Sequence, residues 1–449
     1  MALIDACSEE CLKSELEIFA LPPTQASVEE TRVERFDPLT SLDRAGPVHF
    51  KVQAGEDCYI DTNEIFLYFK ARILDNKGDV LTEKDAGDND RDEALVFPVN
   101  YFLASCFKNV EVTLNSQPVG GNTGLYPYRA YLQALLSYSP SIKNTILKCG
   151  LYNEDKGNFE SVEPMKQNGP KNAGAKWRYE QTKLSRSFEC MGRIHSEIFQ
   201  QGKLLLNKVP LTIKLTRNDP DFVLMSKKER YKYRISIDGA SLYVTIKKIA
   251  PHIREAHETR LLTSNARYPL KRTDIKFFSR AANISDLSEP NVVNGILPSR
   301  IVFGLVETDA FNGHLRKNPF NFQNFNLNYV AVKRNGQDIP FEPISLNFDN
   351  SEYVKGYINL MHSLGFMNRN KSNGIDPFVD YKNGYTLFCV NLNQDFSQGG
   401  GHFNLQQTGN IQLILKLAKT SNKAITMVTL LEFDTVMEID KDWNIIYNE

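Results

Sequence analysis

His252 and His257 stand in the stretch HIREAH, five residues apart. Two imidazoles four apart on a helix share a face and can hold zinc, as in H-E-x-x-H; five apart they diverge. The other histidines, His49, His195, His314, His362 and His402, form no H-x-H pair of the sort a cupin metal site uses, and all seven read as structural or surface residues. The acid run DNDRDE, Asp88–Glu93, invites a calcium reading, but an EF-hand loop needs Gly at position six and Glu at twelve. Counted from Asp88, those places hold Glu93 and Val99, so a solvated acidic loop is expected. Cys7, Cys11, Cys58, Cys106, Cys149, Cys190 and Cys389 are odd in number and lack a C-x-x-C pair, the pattern of reduced, mostly buried thiols in an intracellular protein. The glycine groups Gly120–Gly124 and Gly399–Gly401 lack the P-loop lysine and the dinucleotide spacing, and no G-x-S-x-G elbow occurs. The residues assign no catalytic group, no cofactor and no metal.

One cluster offers binding chemistry. In KKERYKYR, Lys227, Lys228, Arg230, Lys232 and Arg234 surround a single acid and two tyrosines, enough for phosphate contacts with base stacking. A charged surface hairpin is the commoner use of such a run. The whole chain gives it no help: 449 residues carry a net charge of -1, so any nucleic-acid contact would be local. Charged residues at 24% and hydrophobic residues at 41% are ordinary for a globular protein. The acidic start is not a secretory signal, and no run of about 18 apolar residues is present to span a bilayer.

The elements that must carry these residues are mostly strands. Apolar residues alternate at Ile65, Leu67, Phe69, Ala71 and Ile73, at Val110, Val112 and Leu114, at Val209, Leu211, Ile213 and Leu215, and at Ile411, Leu413, Leu415 and Leu417. In 425–440 the odd positions are largely apolar, while Glu432, Asp434, Glu438 and Asp440 are expected to face away. Asn115-Ser116, Asp238-Gly239 and Asn335-Gly336 are read as turns between strands. Helices are expected at Tyr128–Tyr138 and Tyr353–Leu364. A third, short and amphipathic, is expected in the N-terminal arm, where Ile4, Cys7, Leu12, Leu16 and Phe19 recur at nearly helical spacing before Pro22-Pro23. That arm, residues 1–40, has no core of its own, so Leu12, Leu16 and Phe19 are expected to dock on a neighbouring subunit or on the chain's own body.

Two stretches far apart resemble each other. PVNYFLASCFKNVEVTLNSQPV begins at Pro98 and PFNFQNFNLNYVAVKRNGQDI at Pro319. Both open Pro-x-Asn, cross an aromatic-rich segment, enter a strand containing V-x-V, turn at Asn-Ser or Asn-Gly, and continue with Gln. A strand precedes each copy (Phe66–Leu74, Ile301–Val306), a tyrosine-bearing helix follows each, and another strand comes later (Val209–Leu215, Ile411–Leu417). This order implies two equivalent β domains, 41–250 and 251–449. The second stretch is then an ordered loop feeding a hairpin, with Pro319 at its head and Phe320, Phe322 and Phe325 anchoring it by burying their rings.

Beyond this, SELEIFALPPTQASVEE, YIDTNEIFLYFKARIL, YPYRAYLQALLSY, GRIHSEIFQQGKLLLNKVPLTIKLTRND, ARYPLKR, LPSRIVFGLVETDAFNGHLRKNPFNF and LLEFDTVMEID resemble the double jelly-roll major capsid proteins of Polinton (Maverick) elements and the related adintoviruses. The likeness runs from about Ser14 to Asp440; its most specific part is AFNG followed by KNPFNF. It implies a mainly β chain of two tandem eight-stranded jelly-roll sandwiches with a few short helices and an N-terminal arm. It also implies a non-enzymatic homotrimer forming pseudo-hexameric capsomers of an icosahedral shell, with long loops such as Leu151–Gly174 supplying interface area. Penton or minor capsid proteins and packaged DNA are the further partners implied, and the virion is the expected location, after synthesis in the host cytoplasm and with the nucleus as one site of assembly. Two other classes stay open on sequence: a jelly-roll carbohydrate- or receptor-binding protein, and a β-sandwich hydrolase with paired carboxylates.

Overall fold

The computed structural model describes residues 7–43, 46–82, 94–121, 123–165, 171–228, 232–367, 369–397 and 401–447. Sixteen strands build the body. The first eight are β1 (Val28–Phe36), β2 (Val48–Val52), β3 (Cys58–Asp75), β4 (Phe107–Leu114), β5 (Gln117–Pro118), β6 (Phe188–Arg193), β7 (Leu211–Arg217) and β8 (Tyr233–Ile249). They form two antiparallel sheets, ordered β1-β8-β3-β6 and β2-β7-β4-β5. The second eight are β9 (Ala266–Arg280), β10 (Glu289–Ile296), β11 (Arg300–Glu307), β12 (Leu327–Arg334), β13 (Gln337–Asp338), β14 (Leu387–Asn391), β15 (Thr408–Leu417) and β16 (Ile425–Ile439). Their sheets run β9-β16-β11-β14 and β10-β15-β12-β13, the first pattern with eight added to every number. Each set is a jelly roll, and the chain is a double jelly roll. Short strands at Ile344–Ser345 and Ile445–Tyr447 add a fifth member to each sheet of the second roll.

Period-two patterning produces these faces. Ile65, Leu67, Phe69, Ala71 and Ile73 are at most 2% exposed, whereas Phe66, Tyr68 and Arg72 between them are partly exposed. β16 departs from the pattern: every residue from Ile425 to Phe433 is buried. Glu432, expected to face away, is buried because Arg300 directly opposite grips its carboxylate from Nε (2.9 Å) and Nη2 (2.8 Å). Burial works to raise the Glu432 pKa, but the Arg300 guanidinium outweighs it and holds the carboxyl below its ordinary value.

Two expected features differ. Asp238-Gly239 is not a turn. β8 runs through it, and its register against β3 slips between Ile237 and Gly239, which is a β-bulge; Asp238 instead accepts an ion pair from Arg72 at 3.0 Å. The arm carries no amphipathic helix in its described part (Ile4 lies outside the described residues), only one 3-10 turn at Ser14–Leu16 with nothing buried. Nor does it extend to residue 40, since β1 pairs with β8 as an edge strand of the first roll.

Helices α1 (Tyr126–Ser137) and α4 (Val354–Ser363) lie near the expected spans. Two more, α2 (Ala173–Thr182) and α3 (Pro251–Leu261), have no hydrophobic stripe to announce them. The inward face of α2 is Gly174, Ala175, Arg178, Tyr179 and Thr182. Asn172 starts it by accepting a hydrogen bond from the Ala175 amide at 3.1 Å.

Candidate functional site

The two copies of the Pro-x-Asn stretch use their asparagines differently and their hairpin corners alike. Asn100 is fully buried, and its Oδ1 accepts the amides of Tyr101 and Asn153, each at 2.8 Å. Asn321 donates from Nδ2 to Glu160 at 2.6 Å. Pro319 falls within the turn that leads Asn318 into Phe320. Each stretch then runs into a hairpin whose corner has left-handed backbone. Asn115 and Ser116 sit at φ 44° and 69°, Asn335 and Gly336 at 52° and 83°, the pair of positive angles a type I′ turn needs. The Asn amide in each corner donates to the strand alongside, Asn115 to the Pro210 carbonyl and Asn335 to that of Asn410, both at 3.0 Å. Serine in the first corner accepts the geometry that glycine has in the second.

The aromatic residues of the second copy anchor more than their own loop. Phe320 and Phe322, 1% and 0% exposed, insert against α1 of the other roll. Phe320 stacks on Tyr131 with centroids 4.1 Å apart and planes 12° apart, and meets Tyr128 edge-on at 5.7 Å. Phe311 stacks on Tyr128 at 5.5 Å. This explains why α1 is buried at ten of its twelve residues. Phe325 is only half-buried, at φ 43°, and holds the chain as it enters β12.

Beside this aromatic joint lies a polar one. Arg178 and Asp155 are fully buried and 2.6 Å apart. Arg178 also donates to the carbonyls of Pro98 (2.9 Å) and Asn153 (2.6 Å). The other oxygen of Asp155 accepts Asn318 Nδ2 at 2.9 Å, and the Tyr385 hydroxyl donates to its carbonyl at 2.9 Å. Asn318 and Tyr385 belong to the second half, Arg178 and Asp155 to the first. Part of the loop expected to supply intersubunit area, Leu151–Gly174, joins the chain's own rolls through Asp155, Phe159 and Glu160. Arg129 and Glu197, 2.8 Å apart and buried, add another tie, because Glu197 accepts the Thr273 amide of β9 at 3.2 Å. Sequence reasoning found Pro-x-Asn and the phenylalanines but missed this seam; a polar residue's partner two hundred positions away leaves no local periodicity.

Several groups capable of chemistry are committed to structure, while the Cys7, Cys11 and Cys149 thiols are exposed. His195 is buried between the Tyr101 hydroxyl, 2.7 Å from Nε2, and Gln133, 3.2 Å from Nδ1. Burial, with Arg129 and Arg193 nearby, pushes its pKa down to about 3, so it stays neutral. Cys58, Cys106, Cys190 and Cys389 are buried thiols. A polar cleft of about 620 Å³ between residues 157–160, 321–326, 382–384 and 419–423 holds one carboxylate, Glu160. Both of its oxygens are hydrogen-bonded, to Asn321 Nδ2 and to the Asn318 amide.

The basic run and the arm lie at the surface. Lys227 pairs with Glu163 at 3.1 Å, Lys228 is half-buried, and Lys232 and Arg234 are exposed. Arg234 donates to the Asp43 carbonyl at 3.3 Å. Arg230 lies outside the described residues, as does the acid run Asp88–Glu93. In the arm Leu12, Leu16 and Phe19 are 60%, 62% and 95% exposed. Among the described residues no helix is long and apolar enough to cross a membrane.

No family model matches the chain. An uncharacterized protein of Caenorhabditis elegans is 24% identical to it over 426 residues, spanning 94% of this chain and 97% of that protein. Among solved structures, a chain of the Sputnik virophage cryo-EM structure matches with a TM-score of 0.67 at 12% identity, covering 100% of this chain and 94% of its own. The Faustovirus major capsid protein matches at 0.58 and 9%, covering 96% and 92%. The mavirus major capsid protein matches at 0.51 and 9%, covering 100% and 97%. At these identities the likeness is one of fold, and it embraces nearly the whole of each chain.

Proposed function

We propose that this chain is the major capsid protein of an icosahedral virus or virus-like element, and that it works as a building block with no catalytic role. The observation that carries the reading is the repeated strand order, two jelly rolls fused side by side by a buried seam. Three such chains place six similar rolls around an axis, so a trimer approximates a hexagon, and hexagonal blocks tile a shell. A net charge of -1 limits repulsion between densely packed copies. Major capsid proteins of Faustovirus and mavirus share the fold end to end, which supports the assignment.

The finer reading is a Polinton (Maverick) or adintovirus-type protein. A relative of the same extent in an animal, Caenorhabditis elegans, favours an element of that kind. The division falls at α3, with the first roll ending near residue 250 and the second beginning at 251. The free arm is the part before Val28. Partners are other copies, then penton or minor capsid proteins at vertices. Lys227, Lys228, Arg230, Lys232 and Arg234 contact packaged DNA if they line the interior. The mature location is the virion, after synthesis in the host cytoplasm and assembly in the nucleus.

The test is native mass spectrometry and negative-stain microscopy of the purified chain. Trimers with a hexagonal outline, associating into shells or flat sheets, are expected. A protein that stays monomeric at micromolar concentration and forms neither contradicts the proposal.

A further inference from the structure

A groove of about 460 Å³ opens beside α3. Its floor is Leu204, Ile249, Ile253, Leu261 and Tyr268, and its rim carries Lys203, Arg260 and Arg267. All three basic residues are exposed. Arg267 pairs with Glu438 at 3.1 Å. Lys203 Nζ reaches only the Arg267 carbonyl, at 3.0 Å, and among the described residues neither Lys203 nor Arg260 has a carboxylate partner. Ser27 and Val28, the root of the arm, also border the groove.

The arm has the complementary chemistry. Leu12, Leu16 and Phe19 stand at i, i+4 and i+7, the spacing by which a helix lays one face into a groove. Glu9, Glu10, Glu15 and Glu17 flank them. Ser14–Leu16 already forms one turn. The arm's exit is set by Gln25, whose side chain bonds the Val28 amide (2.8 Å) and carbonyl (3.0 Å), and by Pro22-Pro23, which favour extended chain at about 3.1 Å per residue. Its apolar residues stay 60–95% exposed although the groove begins at its own root.

We infer that the groove beside α3 receives the Leu12–Phe19 stretch of a second copy, folded as a short helix with Leu12, Leu16 and Phe19 on the apolar floor and Glu15 toward Arg260 and Lys203. This deepens the assembly reading by naming the receptor for the arm, and rests on that reading only for the supply of neighbouring copies.

The experiment uses the full chain with Phe19→p-benzoylphenylalanine, mixed in equal parts as nitrogen-14 and nitrogen-15 protein before assembly, irradiated and mapped by mass spectrometry. Crosslinks from position 19 to peptides spanning 203–206 or 249–268, half of them between unlike isotopes, are expected. Arg260→Glu should lower their yield several-fold, and Glu15→Arg should restore it in that background. Crosslinks joining only like isotopes would mean that the arm folds into its own groove, and crosslinks elsewhere would mean a different receptor; either overturns the inference. Intact shells without groove crosslinks would leave the capsid reading standing and sink this one. Mixed-isotope groove crosslinks in a protein that never exceeds a dimer would do the reverse.

Discussion

At the scale of single residues, His195 makes a prediction about pH. Its native pKa, about 3, lies below the ordinary 6.5, so the unfolded chain binds a proton in this window that the native chain refuses. The stability tied to its neutrality is complete above pH 6.5 and drains away as pH falls toward 3, at about 1.4 kcal/mol per pH unit within the window. Thermal melting from pH 7 to pH 4 should fall less steeply in His195→Gln than in the parent, and parallel slopes would contradict this. The hairpin corners make another. Gly336→Val should cost about 1–2 kcal/mol, because an L side chain at φ 83° is strained; nothing lies within 4 Å of the added carbon, so the loss belongs to backbone alone. Ser116→Gly, at φ 69°, should gain about 0.5–1 kcal/mol after glycine's entropic cost. Urea midpoints of the two variants should move in opposite directions.

At the scale of elements, β1 decides where the arm can be cut. Deleting residues 1–26 should leave melting unchanged and impair assembly. Deleting 1–38 removes β1 and bares the edge of β8, which should add light scattering and lower the melting temperature. Strands were the most legible part of the sequence, because a half-buried strand writes its burial as alternation: Ile65 through Ile73 and Ile411 through Leu417 could be read directly. The order of strand, Pro-x-Asn loop, hairpin and tyrosine helix exposed the duplication without any pairing information. Three features were illegible, each for a reason. The inner face of α2 is glycine, alanine, arginine, threonine and a single tyrosine. Asp238-Gly239 has the composition of a turn, but pairing with β3 before and after it carries the strand through as a bulge. Leu12, Leu16 and Phe19 have helical spacing but pack against nothing in the single chain, where they stay exposed.

At the scale of the molecule, the seam makes one body of two rolls. Asp155→Asn leaves the Arg178 guanidinium buried without its counter-charge and should cost about 3–5 kcal/mol; Phe320→Ala, which empties the space against Tyr131, should cost about the same. Calorimetry of the parent should show one transition, and both variants should lower it. Two separate transitions in the parent would show that the rolls do not share a core. The candidate site was half visible in sequence: the phenylalanines were marked as anchors, but the partners Tyr128 and Tyr131 read only as the apolar face of a helix. One consequence reaches past the single chain. In the proposed ring of three chains two kinds of junction would alternate, three welded during folding and three closed later by association, so whatever loosens such a ring should release intact polypeptides in pairs of rolls, and odd-numbered fragments of the hexagon should never be seen.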